Sequence, residues 1–255
     1  MIRKRLVGVV TVRDGWAVQS FGYRRYLPLG RPEVLVENLD RWGADEIVLQ
    51  CIDRTRGNAG PDLALLERVS RRGLATPLIY GGGIRNAADA IAVVKSGADR
   101  VCVDALLHDA PQTLQTLAAP LGAQAIIACL PMSMAGGEPR WLDYRSGAQH
   151  AVAPRVVELL EAGVASEAMV IDWSHEGSAG AFDAELVNRF PARHIPLIAF
   201  GGLSEAAQLR PLLQHPRVSA VAIGNFLNYR EHAVDHFKSQ LAGLPLRPGK
   251  TESKS

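Results

Sequence analysis

The sequence predicts one α/β domain folded as a (β/α)8 barrel of the TIM type, with a twofold half-barrel repeat. Three observations carry this: about eight short apolar runs rich in β-branched residues, helical patterns between most of them, and a repeat at half the chain length. Eight β/α units in a chain of 255 residues is the size that such a barrel requires.

The elements follow one another in order. Leu6–Val12 is a β-branched strand, and Pro32–Trp42 is a helix with apolar residues recurring at three and four. Strand Glu46–Ile52 precedes helix Pro61–Arg72, and strand Pro77–Tyr80, running into three glycines, precedes helix Ala87–Ser96, which stops at Gly97. Strands Arg100–Asp104 and Ala125–Leu130 come next, then helix Arg155–Ala162, which stops at Gly163, and strand Ala168–Asp172. Strand Ile195–Phe200, helix Glu205–Leu213 and strand Ala220–Gly224 complete the set. Pro77–Ile84 is echoed by Pro196–Leu203 about 120 residues later, and Arg100–Asp104 by Ala220–Gly224 at the same spacing. Two copies of four β/α units are implied, with residues 1–247 forming the barrel and the polar, uncapped stretch 248–255 a disordered tail.

Composition narrows the partners. With 28 basic and 26 acidic residues the net charge is +2, which gives no single-sign field for nucleic acid or an anionic membrane surface. No apolar run approaches the ~18 residues that cross a bilayer, and the basic start Met1–Arg5 lacks a small-residue cleavage site, so a cytoplasmic protein is expected. Cys51, Cys102 and Cys129 lie in apolar runs without CxxC spacing and are read as buried thiols. No metal and no cofactor is expected: His175 with Asp172 three residues before it lacks a third ligand of suitable spacing.

In such a barrel the reactive face is the C-terminal end of the strands. Gly81-Gly82-Gly83 follows the third strand, Gly201-Gly202 the seventh and Gly224-Asn225 the eighth. Glycine lets the backbone turn its N–H groups toward an anion, so these loops are candidate phosphate sites. The fourth strand ends on Asp104, whose carboxylate repels phosphate; this favours Gly201, Gly202, Gly224 and Asn225 over Gly82 and Gly83. Asp53, Asp104, Asp172, His175 and Glu176 fall at or after strand ends and could form an acid–base set, since neighbouring carboxylates push one pKa upward. Arg24-Arg25-Tyr26, in the loop after strand one, suits an anionic nucleotide sugar or a partner surface.

Lys4-Arg5, Val12-Arg13-Asp14-Gly15, Gly43-Ala44-Asp45-Glu46, Tyr80–Ile84, Gly97-Ala98-Asp99-Arg100, Glu176-Gly177-Ser178 and Phe200-Gly201-Gly202 together resemble the cyclase subunit family of imidazole glycerol phosphate synthase over almost the whole chain. The resemblance implies a barrel that binds a substrate with two phosphates. It also implies a glutaminase partner whose ammonia travels along the barrel axis to two catalytic aspartates. Those aspartates are absent: the strand-one position falls on Thr11 and the strand-five position on Pro131, and neither side chain can act as a base near neutral pH. Cys51 stands at the family's strand-two carboxylate position, with Asp53 two residues later, and Glu176 matches the aspartate of the family's Asp-Gly-Thr.

At the opposite end Arg5, Glu46, Arg100 and Glu167 each immediately precede a strand, where the resemblance implies a charged gate for ammonia. Paired charges on this face also serve barrel stability. The expectation is a diverged cyclase-like subunit that partners a glutaminase and channels ammonia to an acceptor. By the same resemblance that acceptor is a sugar amidated in surface polysaccharide biosynthesis, a phosphorylated or nucleotide-linked small molecule. Three alternatives stay open: a phosphosugar enzyme with Glu176, Asp53 or Asp104 as its rewired catalytic groups, a non-catalytic binding or scaffold subunit, and, ranked last because both aspartates are absent, the family's own imidazole glycerol phosphate synthase cyclase.

Overall fold

The structure, a computed structural model, describes residues 3–248; the tail expected over 248–255 lies, apart from Pro248, outside the described residues. In chain order the elements are β1 (Arg5–Arg13), β2 (Trp16–Phe21), β3 (Arg25–Gly30), α1 (Pro32–Arg41), β4 (Glu46–Cys51), α2 (Leu63–Ser70), β5 (Leu78–Gly81), α3 (Ala87–Lys95) and β6 (Arg100–Val103). They continue with α4 (Ala105–Asp109), α5 (Thr113–Leu121), β7 (Ile126–Ala135), β8 (Glu138–Asp143), β9 (Ala148–His150), α6 (Pro154–Glu161) and β10 (Glu167–Asp172). α7 (Glu185–Asn188), β11 (Leu197–Phe200), α8 (Ala206–Gln214), β12 (Val218–Ile223) and α9 (Ala233–Gln240) complete the fold.

Eight of the strands are parallel neighbours in the order β1-β4-β5-β6-β7-β10-β11-β12, and β12 pairs with β1 to close the barrel. Side chains alternate in direction along each strand, so the apolar runs divide between two cores. Val7, Val9, Val48, Met169, Ile198 and Phe200 belong to a cluster inside the barrel. Leu6, Val10, Ile47 and Leu49 point outward, where they meet Leu39 of α1 and Leu65 of α2. Two repeated Gly-Ala-Asp segments fasten the base. Asp45 accepts from the Leu6 amide at 2.7 Å, and Asp99 accepts from the Leu78 amide at 2.7 Å, so each ties the strand before it to the strand after it. Lys238 of α9 pairs with Asp45 at 2.7 Å, docking the last helix on this tether.

The largest departure from expectation lies above the barrel. The stretch after strand one, read as a loop, is an antiparallel hairpin of β2 and β3 built on the upper end of β1, and Arg24-Arg25-Tyr26 occupies its turn and the start of β3. β7 overshoots in the same way and pairs with β8, which pairs with β9. The half-barrel repeat thus extends to a hairpin on each half. β3 escapes a propensity reading because Pro28 sits inside it, which suits an edge strand.

The second hairpin is held from outside. Trp141 is fully buried and stacks on His108 of α4 with ring centroids 3.5 Å apart, while His150 meets Trp141 edge-on. Arg145 bridges Asp109 at 2.6 Å and Asp143 at 2.9 Å. Its guanidinium pulls the Asp143 carboxyl down to about 2, and burial pushes the His108 imidazole down to about 4. The unfolded chain therefore takes up a proton on His108 before the native state does, so the stability contributed here is whole above pH ~6.5 and is lost as pH falls toward about 4. The replacement His108→Phe keeps the stack and removes the titration. Its melting temperature is expected to fall less than that of the native chain between pH ~7 and ~4.5.

Candidate active site

At the narrow end, β1, β4, β6 and β10 each start on an inward charge, and the four close a ring. Arg5 pairs with Glu46 at 3.2 Å and also with Glu167; Arg100 pairs with Glu46 at 3.3 Å and with Glu167 at 2.7 Å. None of these side chains is more than 13% exposed. The two carboxylates differ in their surroundings. Burial opposes the Glu167 charge, but both arginines and the Ser219 hydroxyl outweigh it and hold the carboxyl below its usual range. At Glu46 burial wins over Arg5 and Arg100, and the carboxyl lies above its usual range. Geometry explains the contrast: among the described residues Glu46 Oε2 is buried without a hydrogen-bond donor, whereas both Glu167 oxygens are engaged.

Two residues further along the same strands stand Val48, Cys102 and Met169, one inward step of about 6–7 Å above the ring. All three line a cavity of about 240 Å³ that opens at the reactive face. β4, β5, β6, β7 and β10 contribute to its wall, and β1, β11 and β12 do not, so the cavity is displaced to one side of the axis. Cys51, Cys102 and Cys129 line it as free, buried thiols, and burial pushes Cys51 up to about 12, so it is held as the inert protonated form at neutral pH.

The first hairpin supplies part of the cavity wall. Tyr23, in the left-handed region at φ +53°, turns its ring onto the axial cluster and donates its hydroxyl to Gln50 Oε1 at 3.3 Å. Two side chains from the other half hold it there. Glu176 Oε2 accepts from the Ser20 hydroxyl at 2.9 Å and the Tyr23 amide at 3.2 Å, and its backbone carbonyl accepts from Gly22 at 2.9 Å. Asn225 accepts from the Ser20 amide at 3.1 Å and donates to the Ser20 carbonyl at 2.6 Å.

The candidate residues therefore separate. Asp104 and Gly82 line the cavity; Glu176, Asp53, Gly83, Gly201, Gly202, Gly224 and Asn225 do not. Glu176 and Asn225 are spent on the hairpin, and burial pushes the Glu176 carboxyl up. Gly82 and Gly201 each answer a backbone need whatever ligand binds: at φ +128° and +104° a Cβ would lie 2.2 Å from the Cys51 carbonyl and 2.4 Å from the Asp172 carbonyl. Asp104 caps α4 through the Ala105 amide and faces the Tyr144 hydroxyl, which also faces Thr55; burial pushes the Asp104 carboxyl up. Asp172 is fully buried and orients His175 through Nδ1 at 2.7 Å, at the rim but outside the cavity lining. Tyr23, Gln50, Thr55 and Tyr144 are cavity residues that spacing does not reveal, because two hairpins, the loop after β4 and β4 itself bring them together.

A profile of the family described as histidine biosynthesis protein matches residues 5–233. The chain belongs to that family. It is similar to a protein named putative imidazole glycerol phosphate synthase subunit hisF2 from Vibrio vulnificus, 27% identical over 96% of this chain and 91% of the relative. It is also similar to proteins named imidazole glycerol phosphate synthase subunit HisF from Geobacillus thermodenitrificans, 28% identical over 94% of this chain and 97% of the relative, and from Hyphomonas neptunium, 27% identical over 97% and 99%.

This HisF-like member of the histidine biosynthesis family carries Thr11 buried at the upper end of β1, opposite Gln50 of β4, and Pro131 on the cavity wall, opposite Ile171 of β10. Asn225→Ala removes both side-chain contacts to Ser20 and is expected to destabilise the protein by about 1–3 kcal/mol. Limited proteolysis of that variant should cut between Phe21 and Arg25 faster than in the native chain, with the barrel left intact.

Proposed function

We propose that this protein is the barrel subunit of a glutamine-dependent amidotransferase. Ammonia released by a glutaminase docked on the narrow face enters at Arg5, Glu46, Arg100 and Glu167 and passes along the apolar axis to an acceptor in the upper cavity. The observation that carries this reading is vertical continuity: a single inward step separates the charged ring from the cavity floor at Val48, Cys102 and Met169. The bare Glu46 Oε2 offers ammonia a buried acceptor at the entrance. The chemistry at the upper end supports a conduit over cyclisation, because acid–base groups commonly contribute about 10²–10⁴ in rate and Thr11 and Pro131 supply none. A sugar destined for surface polysaccharide is the acceptor that the family resemblance suggests. The protein's place of work, on this reading, is the cytoplasm.

The test is mixing the barrel with a glutaminase subunit of the imidazole glycerol phosphate synthase type, encoded beside it where one exists. A stable complex and faster glutamine hydrolysis are expected. The replacement Glu46→Gln keeps the shape of the ring and removes one charge; it should lower that stimulation by about tenfold, ~1.4 kcal/mol. No complex and no stimulation would remove the reading.

A further inference from the structure

We propose that Cys102, Cys129 and Met169 form a three-sulfur site for a soft monovalent metal ion, Cu(I), at the foot of the upper cavity.

The three side chains come from three consecutive staves of the barrel, β6, β7 and β10. All three belong to the axial cluster, and all three line the cavity. Cys129 and Met169 are direct partners in the β7–β10 register, so their side chains leave the wall at one level, with the ~4.8 Å spacing of neighbouring strands between them. Cys102 is the register partner of Ile127, one inward step below Cys129, and a contact between the two thiols bridges that step. The contact with Cys102, and after it burial, pushes the Cys129 thiol well above its ordinary range. Cys51, the third thiol of the lining, belongs instead to the outer cluster and faces the Tyr80 hydroxyl. Spacing along the chain hides the set, because each sulfur sits on a different strand.

The surroundings suit a cation. The two arginines of the lining, Arg24 and Arg56, are exposed, whereas the Asp104 carboxyl acts directly on Cys129. Burial and a neighbouring carboxyl disfavour a bare thiolate, and a cation held between two thiolates removes that penalty. On binding, Cys102 and Cys129 each release a proton to solvent and each give a sulfur lone pair to the metal. Met169 gives a lone pair through its thioether, and no electron changes hands. Two thiolates and a thioether are the soft donors that select Cu(I). Zn(II) takes four ligands from Cys, His and carboxylates, and among the described residues no three His, Cys, Asp or Glu side chains are grouped as ligands.

Titration of the reduced, full-length protein with Cu(I) in competition with bicinchoninate tests this. One Cu(I) per chain is expected to be retained, and X-ray absorption at the copper edge should show a shell of sulfur alone. Met169→Leu, which nearly keeps the side-chain volume, should weaken retention by about tenfold and leave two sulfurs in the shell. Cys129→Ser should weaken it by about a hundredfold or more, while Cys51→Ser should leave it unchanged. Zn(II) should bind more weakly than Cu(I). Because the copper shell is read on the native chain, a variant that fails to fold leaves the test standing. No copper held against the competitor, a shell containing nitrogen or oxygen, retention indifferent to Met169, a loss in folded Cys51→Ser, or Zn(II) bound more tightly than Cu(I) would each overturn the inference. The titration needs no glutaminase, so its outcome is separate from that of ammonia coupling.

Discussion

Closure of eight parallel strands is the constraint from which the remaining features of the molecule follow. A strand in a closed barrel can aim only every second residue at the axis, and the tilt of the strands places those residues in layers. Here the layers change character with height: charged at Arg5, Glu46, Arg100 and Glu167, apolar at Val48, Cys102 and Met169, and polar or aromatic where the hairpins begin. Burying four charges is tolerable because each arginine touches both carboxylates; removing either arginine would leave a buried carboxylate uncompensated, typically a loss of about 3–5 kcal/mol.

The two half-barrels then use one device in two ways. Each extends its first strand into a hairpin above the rim, but the second is bolted outward onto α4 by the Trp141–His108 stack and Arg145, while the first is folded inward by Glu176 and Asn225. Symmetry at the level of backbone becomes asymmetry at the level of the site. Tyr23 packs on the axial cluster as one wall of the cavity, and the space lies toward β4, β5, β6, β7 and β10, where Asp104 and Tyr144 meet. Glu176 and Asn225, both at the reactive face, are engaged here with the first hairpin.

The barrel itself was legible because a parallel strand packed on both faces needs an apolar, β-branched run, and such runs stand out: Leu6–Val12 and Ala168–Asp172 fall within a residue or two of β1 and β10. The charged residue before each of four strands was legible too, since the alternation of directions carries it onto the axis. Helix Pro61–Arg72 proved shorter, beginning at Leu63, because Asp62 caps it by accepting from the Leu65 amide. The hairpins were not legible: β3 carries a proline and an exposed face, and β9 is three exposed residues. Glu176 illustrates the limit for the site, because its position after a strand pointed to the reactive face, and only the approach of Ser20 and Tyr23 from another part of the chain turned it away from the cavity.

By itself the sequence determined the barrel, its twofold repeat and the charged residue that opens each of four strands. These depend on residue type and on a two-residue period, which are local quantities. Tertiary structure alone decided on which side of the axis the cavity lies and which carboxyl lines it. Those outcomes depend on contacts such as Ser20 with Asn225, 205 positions apart, and no local pattern records a partner at that distance.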